Sequence, residues 1–305
     1  METSGTNPPT PPFGEELVEV RKPTSLLIAQ FFLFPLIIIA ICVGVFLLFG
    51  YLTYDQKSLR EYLNEIRVGG GFADERRWQA AVELASVVAT DKERVRDPEF
   101  VRDVIAVFRS ARNEDPRIRQ YLALTLGHIG DKRAVPALVD SLNDVFPPGQ
   151  QPREAESLIS TLWALGLIGD NAAVPGVVKQ LKHGDPAVRK VAAYVLGALK
   201  DPSASRDLQI ALNDARNEVR WNAAMALAQM NDPAGSDLLM KLLDREYVEA
   251  APDMTPQQKD QLRVNAVKCL AMLKHEPARD LIAELSRSDP SLTVRNASLE
   301  ALAKF

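Results

Sequence analysis

The groups in this 305-residue chain that could do chemistry are three histidines, two cysteines and two charged positions that recur along it. A zinc site needs ligands in close pairs, such as His-x-x-x-His on one helix face. His128, His183 and His275 are scattered instead. Cys42 sits inside a long apolar run and Cys269 far beyond it, so neither a disulfide framework nor a thiolate metal site can be built from them. No Gly-x-Ser-x-Gly elbow occurs, and no glycine-rich phosphate loop ends in Lys-Ser/Thr. The reading is therefore a chain that is not an enzyme, with no catalytic residue, no metal and no cofactor.

The recurring positions are arginine and aspartate. Arg189, Leu196, Gly197, Asp201 and Pro202 return 31 residues later as Arg220, Leu227, Ala228, Asp232 and Pro233. Upstream, Arg119, Leu126, Gly127 and Asp131 stand in the same frame, and Gly166, Asp170 and Pro175 repeat it between them. Weaker copies begin at Arg77, Arg263 and Arg295. Such self-similarity is the mark of a repeat architecture, in which each unit is a supersecondary element that must stack on its neighbours to bury its apolar face.

Each copy reads as two helices. Asp-Pro opens the first, because the carboxylate caps free N–H groups and proline suits the first turn. Small residues (Ala192, Ala193, Ala223, Ala224) let neighbouring helices approach closely. A Gly-x-(Ile/Leu)-Gly/Lys-Asp turn ends it, and Ala-Val-Pro or Asp-Pro starts the second. In this reading about six helical hairpins and a terminal single helix fill residues 72–305.

The motifs DP-x-[VI]-R, AL-x-x-LG-x-[IL]-GD and AVP-x-LV-x-x-L, nearly intact at Asp115–Asp144 and Asp185–Asp201, resemble the HEAT repeat. The likeness is to the short bacterial variety also found in phycobilisome lyases. That resemblance implies an all-α fold, an α-solenoid of helical hairpins, and a role in binding protein partners. A di-iron hydroxylase of HEAT-like build would need several His-Glu pairs at helix starts, and only His275-Glu276 is present, at a turn. Leu158 replaces the repeat arginine in one copy, and His275-Glu276 replaces Asp-Pro in another.

Within a stack, Arg119, Arg189, Arg220, Arg263 and Arg295 are expected to pair with the turn aspartates Asp131, Asp170, Asp201 and Asp232, forming a structural ladder of charge-assisted bonds. The partner surface is expected elsewhere. Two insertions, Val145–Pro152 and Arg245–Lys259, lengthen junctions between hairpins and map to one face of a solenoid. Phe146, Pro147, Tyr247 and Met254 are their candidate partner-binding contacts. Beyond the first 25 residues acids and bases nearly balance, so nothing electrostatic points to nucleic acid.

Ahead of the repeats the composition changes. Residues 1–25 hold Pro8, Pro9, Pro11 and Pro12 and few large apolar groups, which reads as a disordered tail. Residues 26–54 carry no charge, and the run Phe31–Leu52 matches the ~20 residues needed to span a bilayer. This predicts one transmembrane helix and a single-pass membrane localisation. Lys57, Arg60 and Arg67 outnumber Arg21 and Lys22 by one, which puts the repeat domain on the cytoplasmic side. Residues 55–71 read as a juxtamembrane helix striped by Leu59, Tyr62, Leu63 and Ile66, ending in a hinge at Gly69, Gly70 and Gly71. The function expected is a membrane-anchored protein-binding scaffold or adaptor. The alternatives are an accessory subunit of a larger membrane complex, or a lyase-type accessory to a tetrapyrrole protein.

Overall fold

A computed structural model of the chain describes residues 32–53, 57–67, 73–91, 97–113, 115–144, 151–251 and 254–305. The tail at 1–25, the glycine run Gly69–Gly71 and the candidate contacts Phe146 and Pro147 lie outside the described residues. The chain divides into two units, Met1–Lys57 and Ser58–Phe305.

In the first unit the uncharged run forms helix α1, Phe34–Thr53. Its side chains are described for residues 32–48, all of them exposed. Among the described residues no helix is long and apolar enough to cross a membrane. The predicted transmembrane helix and single-pass membrane localisation are corrected on that finding.

The second unit is built of helices joined by short turns, with no strand among its described residues. It begins with α2, Leu59–Arg67, whose Leu63 and Ile66 are buried. The stripe predicted for this segment docks on the repeats. Arg77 donates from Nε to the Ile66 carbonyl at 2.8 Å, and Arg60 meets Asp97 at 2.7 Å.

The hairpins follow in order. They are α3 (Ala73–Thr90) with α4 (Pro98–Ser110), α5 (Pro116–Ile129) with α6 (Val135–Ser141), and α7 (Gln151–Ile168) with α8 (Val174–Gln180). Next come α9 (Pro186–Leu199) with α10 (Ser205–Ala211), and α11 (Asn217–Gln229) with α12 (Ser236–Leu243). A short α13, Arg245–Glu249, precedes α14 (Pro256–Met272) with α15 (Arg279–Ser288), and α16, Leu292–Leu302, closes the unit. The first helix of each hairpin, helix A, packs on the helix A of the next: α3 on α5, α5 on α7, α7 on α9, α9 on α11, α11 on α14 and α14 on α16.

Local chemistry explains the boundaries. Asp97, Asp115 and Asp185 cap α4, α5 and α9 through the N–H two residues on, each with proline at the first turn. Thr255 and Gln258 open α14 with a reciprocal capping box at its N-terminus. Helix A of the α5 hairpin ends on Gly130, at φ 73°. That left-handed position costs glycine nothing, because glycine has no Cβ.

The core is continuous. One buried cluster runs from Leu63 to Leu227, and a second runs from Trp221 to Ala301. They meet on α11, which gives Ala223 and Leu227 to the first and Ala224 and Ala228 to the second. Leu212 packs against both.

Candidate partner-binding groove

The recurrent arginines form a ladder with aspartates other than those predicted. Arg189 grips Asp214 with two bonds, Nε at 2.7 Å and Nη2 at 2.9 Å, and its Nη1 donates to the His183 carbonyl at 2.9 Å. Arg263 meets Asp289 at 2.5 Å and donates to the Leu243 carbonyl, with both side chains almost wholly buried. Arg119 pairs with the buried Asp144. Arg220 and Arg295 reach the backbone carbonyls of Asp214 and Asp289, at 2.7 and 3.0 Å. Arg119, Arg189 and Arg263 thus tie helix A to the junctions on either side of its own hairpin, whereas Arg220 and Arg295 tie their helix to the junction before it. Asp214 and Asp289 also accept the N–H of Arg216 and Ser291, so one carboxylate serves two repeats.

These contacts set the charge states. The Arg189 guanidinium holds the Asp214 carboxyl below its ordinary range. Burial opposes ionisation of Asp289, but Arg263 and the Ser291 N–H outweigh it and keep that carboxyl low as well. Burial pulls Arg119 below the usual guanidinium value, with Asp144 acting against it. Burial alone pushes the Cys269 thiol up to about 11, so it stays protonated near neutral pH.

Asp131, Asp170, Asp201 and Asp232 do something more local. Each caps the short 3-10 turn that leads into a second helix, accepting at 2.9 Å from the N–H of Arg133, Ala172, Ser203 and Ala234 respectively. Their bonds to other repeats come from Lys132 to Asp170 and Gln209 to Asp232, not from the recurrent arginines. The pairing expected from sequence is corrected, because the turn carboxylates are occupied by the backbone beside them. A pattern in the sequence did carry the true partners: Asn143-Asp144 returns as Asn213-Asp214, 70 residues on, the spacing that separates Arg119 from Arg189.

Of the predicted partner contacts, Tyr247 and Met254 are described. Both are half-buried and pack against the second core cluster. The Arg245–Lys259 insertion is fastened to its own domain by the buried Val248 and Ala251, and Lys259 braces it from within, bonding the Glu249 carbonyl and carboxylate at 2.9 and 3.0 Å. Among the described residues no group of three or more His, Cys, Asp or Glu side chains gathers as a metal site.

A different surface stands out, on the helices A. Trp163 of α7 and Tyr194 of α9 are 38% and 46% exposed, with ring centroids 4.9 Å apart and planes at 54°. Leu167 is exposed beside Trp163 on α7, and Met272 is exposed on α14. Trp163, Tyr194 and Met225 occupy one repeat frame, 31 residues apart, a signal that sequence reasoning passed over.

Two clefts open in this face, one of about 520 Å³ and one of about 530 Å³. They share Asn222, Met225 and Asn265 and together form a groove across α9, α11 and α14. Tyr194 and Met272 line the first cleft, and Met254 lines the second. The groove therefore brings in one predicted contact, Met254, while Tyr247 does not line it.

Comparison with known proteins agrees with this architecture. Residues 152–217 and 174–251 match the family profile of HEAT repeats, and residues 118–144 match the PBS lyase HEAT-like repeat. Among curated proteins none matches the chain. Among solved structures, the complex of CpcE and CpcF of phycocyanin lyase from Nostoc sp. PCC7120 is similar at 19% identity and a TM-score of 0.50. That match covers 82% of this chain and 88% of that one. An engineered protein is similar at 20% identity and a TM-score of 0.48, covering 82% of this chain and 68% of that one. A designed armadillo repeat protein is similar at 14% identity and a TM-score of 0.42, over 81% and 99%. Residues 118–144 and 152–251 are thus similar to HEAT repeats, and among the described residues the second unit is an all-helical repeat solenoid whose fold resembles that of the phycocyanin lyase subunits.

Proposed function

We propose that the chain is a non-catalytic scaffold that holds a protein partner on the helix-A face of its repeats. The observation that supports this is the exposed Trp163–Tyr194 pair, flanked by Leu167 and continued by Met225 and the exposed Met272. Tryptophan, tyrosine and methionine are enriched where proteins meet, and aromatic anchors carry much of the binding energy there. Scattered single apolar residues need no explanation, but a contiguous row in one repeat frame does.

A photo-crosslinking side chain at Leu167, in the cells that make the protein, tests this reading. One defined protein should be captured, and the combined Trp163→Ala and Tyr194→Ala substitutions should abolish capture without changing the helical content. Capture at Tyr247 but not at Leu167 would move the partner surface to the inserted segment and overturn the proposal. A partner that copurifies in fixed stoichiometry makes the chain an accessory subunit of a larger assembly. One caught only by the crosslinker makes it an adaptor.

The match of residues 118–144 to the PBS lyase HEAT-like repeat favours a second reading, an accessory to a tetrapyrrole-carrying protein. Its test is the absorbance spectrum of a bilin on mixing with the purified chain. A shift abolished by the Trp163→Ala and Tyr194→Ala pair supports it, and an unchanged spectrum removes it.

A further inference from the structure

The whole chain carries a formal charge of -4, yet the groove across α9, α11 and α14 runs the other way. Lys200 and Lys268 line its first cleft, and no carboxylate lines that cleft. Both lysines are exposed. At the other end stand Lys190 and Arg216, with one acid, Glu218, which Arg216 already faces at 3.7 Å. Between the two ends the lining is apolar and amide: Met225, Ala226 and Met272 with Asn222, Gln229 and Asn265.

The two asparagines stand at one repeat position, each two residues after a recurrent arginine. Their own helices use half of each amide. Asn222 donates from Nδ2 to the Glu218 carbonyl at 2.7 Å, and the Oδ1 of Asn265 accepts from Gln261 at 2.9 Å. What remains includes the Oδ1 acceptor of Asn222 and the Nδ2 donors of Asn265, the complement of a peptide unit's N–H and C=O. Clefts of this size suit a short run of side chains.

We propose that the groove binds an acidic segment of a partner protein, one that places carboxylates on Lys200 and Lys268 and aliphatic side chains between Tyr194, Met225 and Met272. Asn222 and Asn265 hold the main chain of that segment. Electrostatic complementarity selects the partner and speeds its encounter, and the apolar floor supplies contact area. This rests on the helix-A reading of the partner surface and adds the chemistry of what sits there.

The test uses the full chain and fluorescein-labelled decapeptides, one alternating Glu and Leu, one alternating Lys and Leu, and a single-stranded oligothymidine as a third probe. Fluorescence anisotropy should show the Glu-Leu peptide binding most tightly, and more weakly as salt rises. The double variant Lys200→Glu and Lys268→Glu, folded as judged by an unchanged melting curve, should weaken that binding by about tenfold or more. Asn265→Ala should weaken it less, with no change in salt dependence. The proposal is overturned if the Glu-Leu peptide fails to bind, if the Lys-Leu peptide or the oligonucleotide binds as well, or if the double variant leaves affinity unchanged. Crosslinking from Leu167 does not depend on these charges, so the helix-A reading survives such a result when that probe still captures its partner.

Discussion

Arg263 and Arg133 both pair with aspartate, and their surroundings make the two pairs unequal. Arg263 and Asp289 are 2% and 3% exposed, whereas Arg133 and Asp131 are 52% and 26% exposed. Removing one partner of a buried pair leaves an uncompensated charge, so Arg263→Ala should cost about 3–5 kcal/mol, measured by urea denaturation. Arg133→Ala should leave the melting temperature nearly unchanged, because water already screens that pair.

Asp214 adds a pH dependence. Its carboxyl is held below the ordinary value by Arg189. Its stabilising contribution is therefore fully present above the unfolded value of about 4 and is lost as pH falls through the folded value. Asp214→Asn should cost roughly 2 kcal/mol at pH 7, and the gap to the parent protein should close below about pH 4. Lys274 is a third case, held at φ 48° just past the end of α14. Lys274→Gly should raise stability by about 1 kcal/mol, because glycine carries no Cβ penalty there.

At the scale of elements, the stack depends on how closely the helices A approach. A Cβ on Gly127 would lie 2.6 Å from the Ala164 Cα, and one on Gly197 would lie 2.9 Å from the Ala226 Cα. Backbone cannot yield as a flexible side chain does, so Gly127→Ala should force α5 and α7 apart at a cost of about 1–3 kcal/mol. A melting-temperature shift reads the cost, and faster amide exchange confined to α5 through α8 would locate it. Close packing through small residues was legible in the sequence at Ala192, Ala193, Ala223 and Ala224, all of them buried, but the sequence marked Gly127 and Gly197 only as repeat positions. The docking of α2 was legible too, since Leu63 and Ile66 fall on its predicted stripe. The fate of the Arg245–Lys259 insertion was not. Its apolar residues looked available in sequence, but Val248 and Ala251 are buried and anchor it to the domain.

Across the whole molecule, stability should follow the nearest-neighbour logic of a repeat array. Among the described residues the two core clusters join where α11 and Leu212 serve both. Leu270→Ala, at a fully buried site on α14, should cost about 2–5 kcal/mol. Hydrogen exchange should rise in α11 through α16 and stay near the parent level in α3 through α6. An equal rise throughout would mean that the array opens as one cooperative unit.

By itself the sequence determined the hairpins, their order and most of their ends, because caps, turns and helical periodicity act over a few residues and are written in those residues. Only the tertiary structure decided which aspartate each arginine meets. Asp131 and Asp201 share a frame with one another but spend their carboxylates on the adjacent backbone, while Asp144, Asp214 and Asp289 reach helix A across the hairpin. It also decided that Trp163, Tyr194, Met225 and Met272 make one surface. A shared repeat frame says that side chains are equivalent, but whether they touch depends on how closely the helices between them stack, and that distance is set by contacts far apart in the chain.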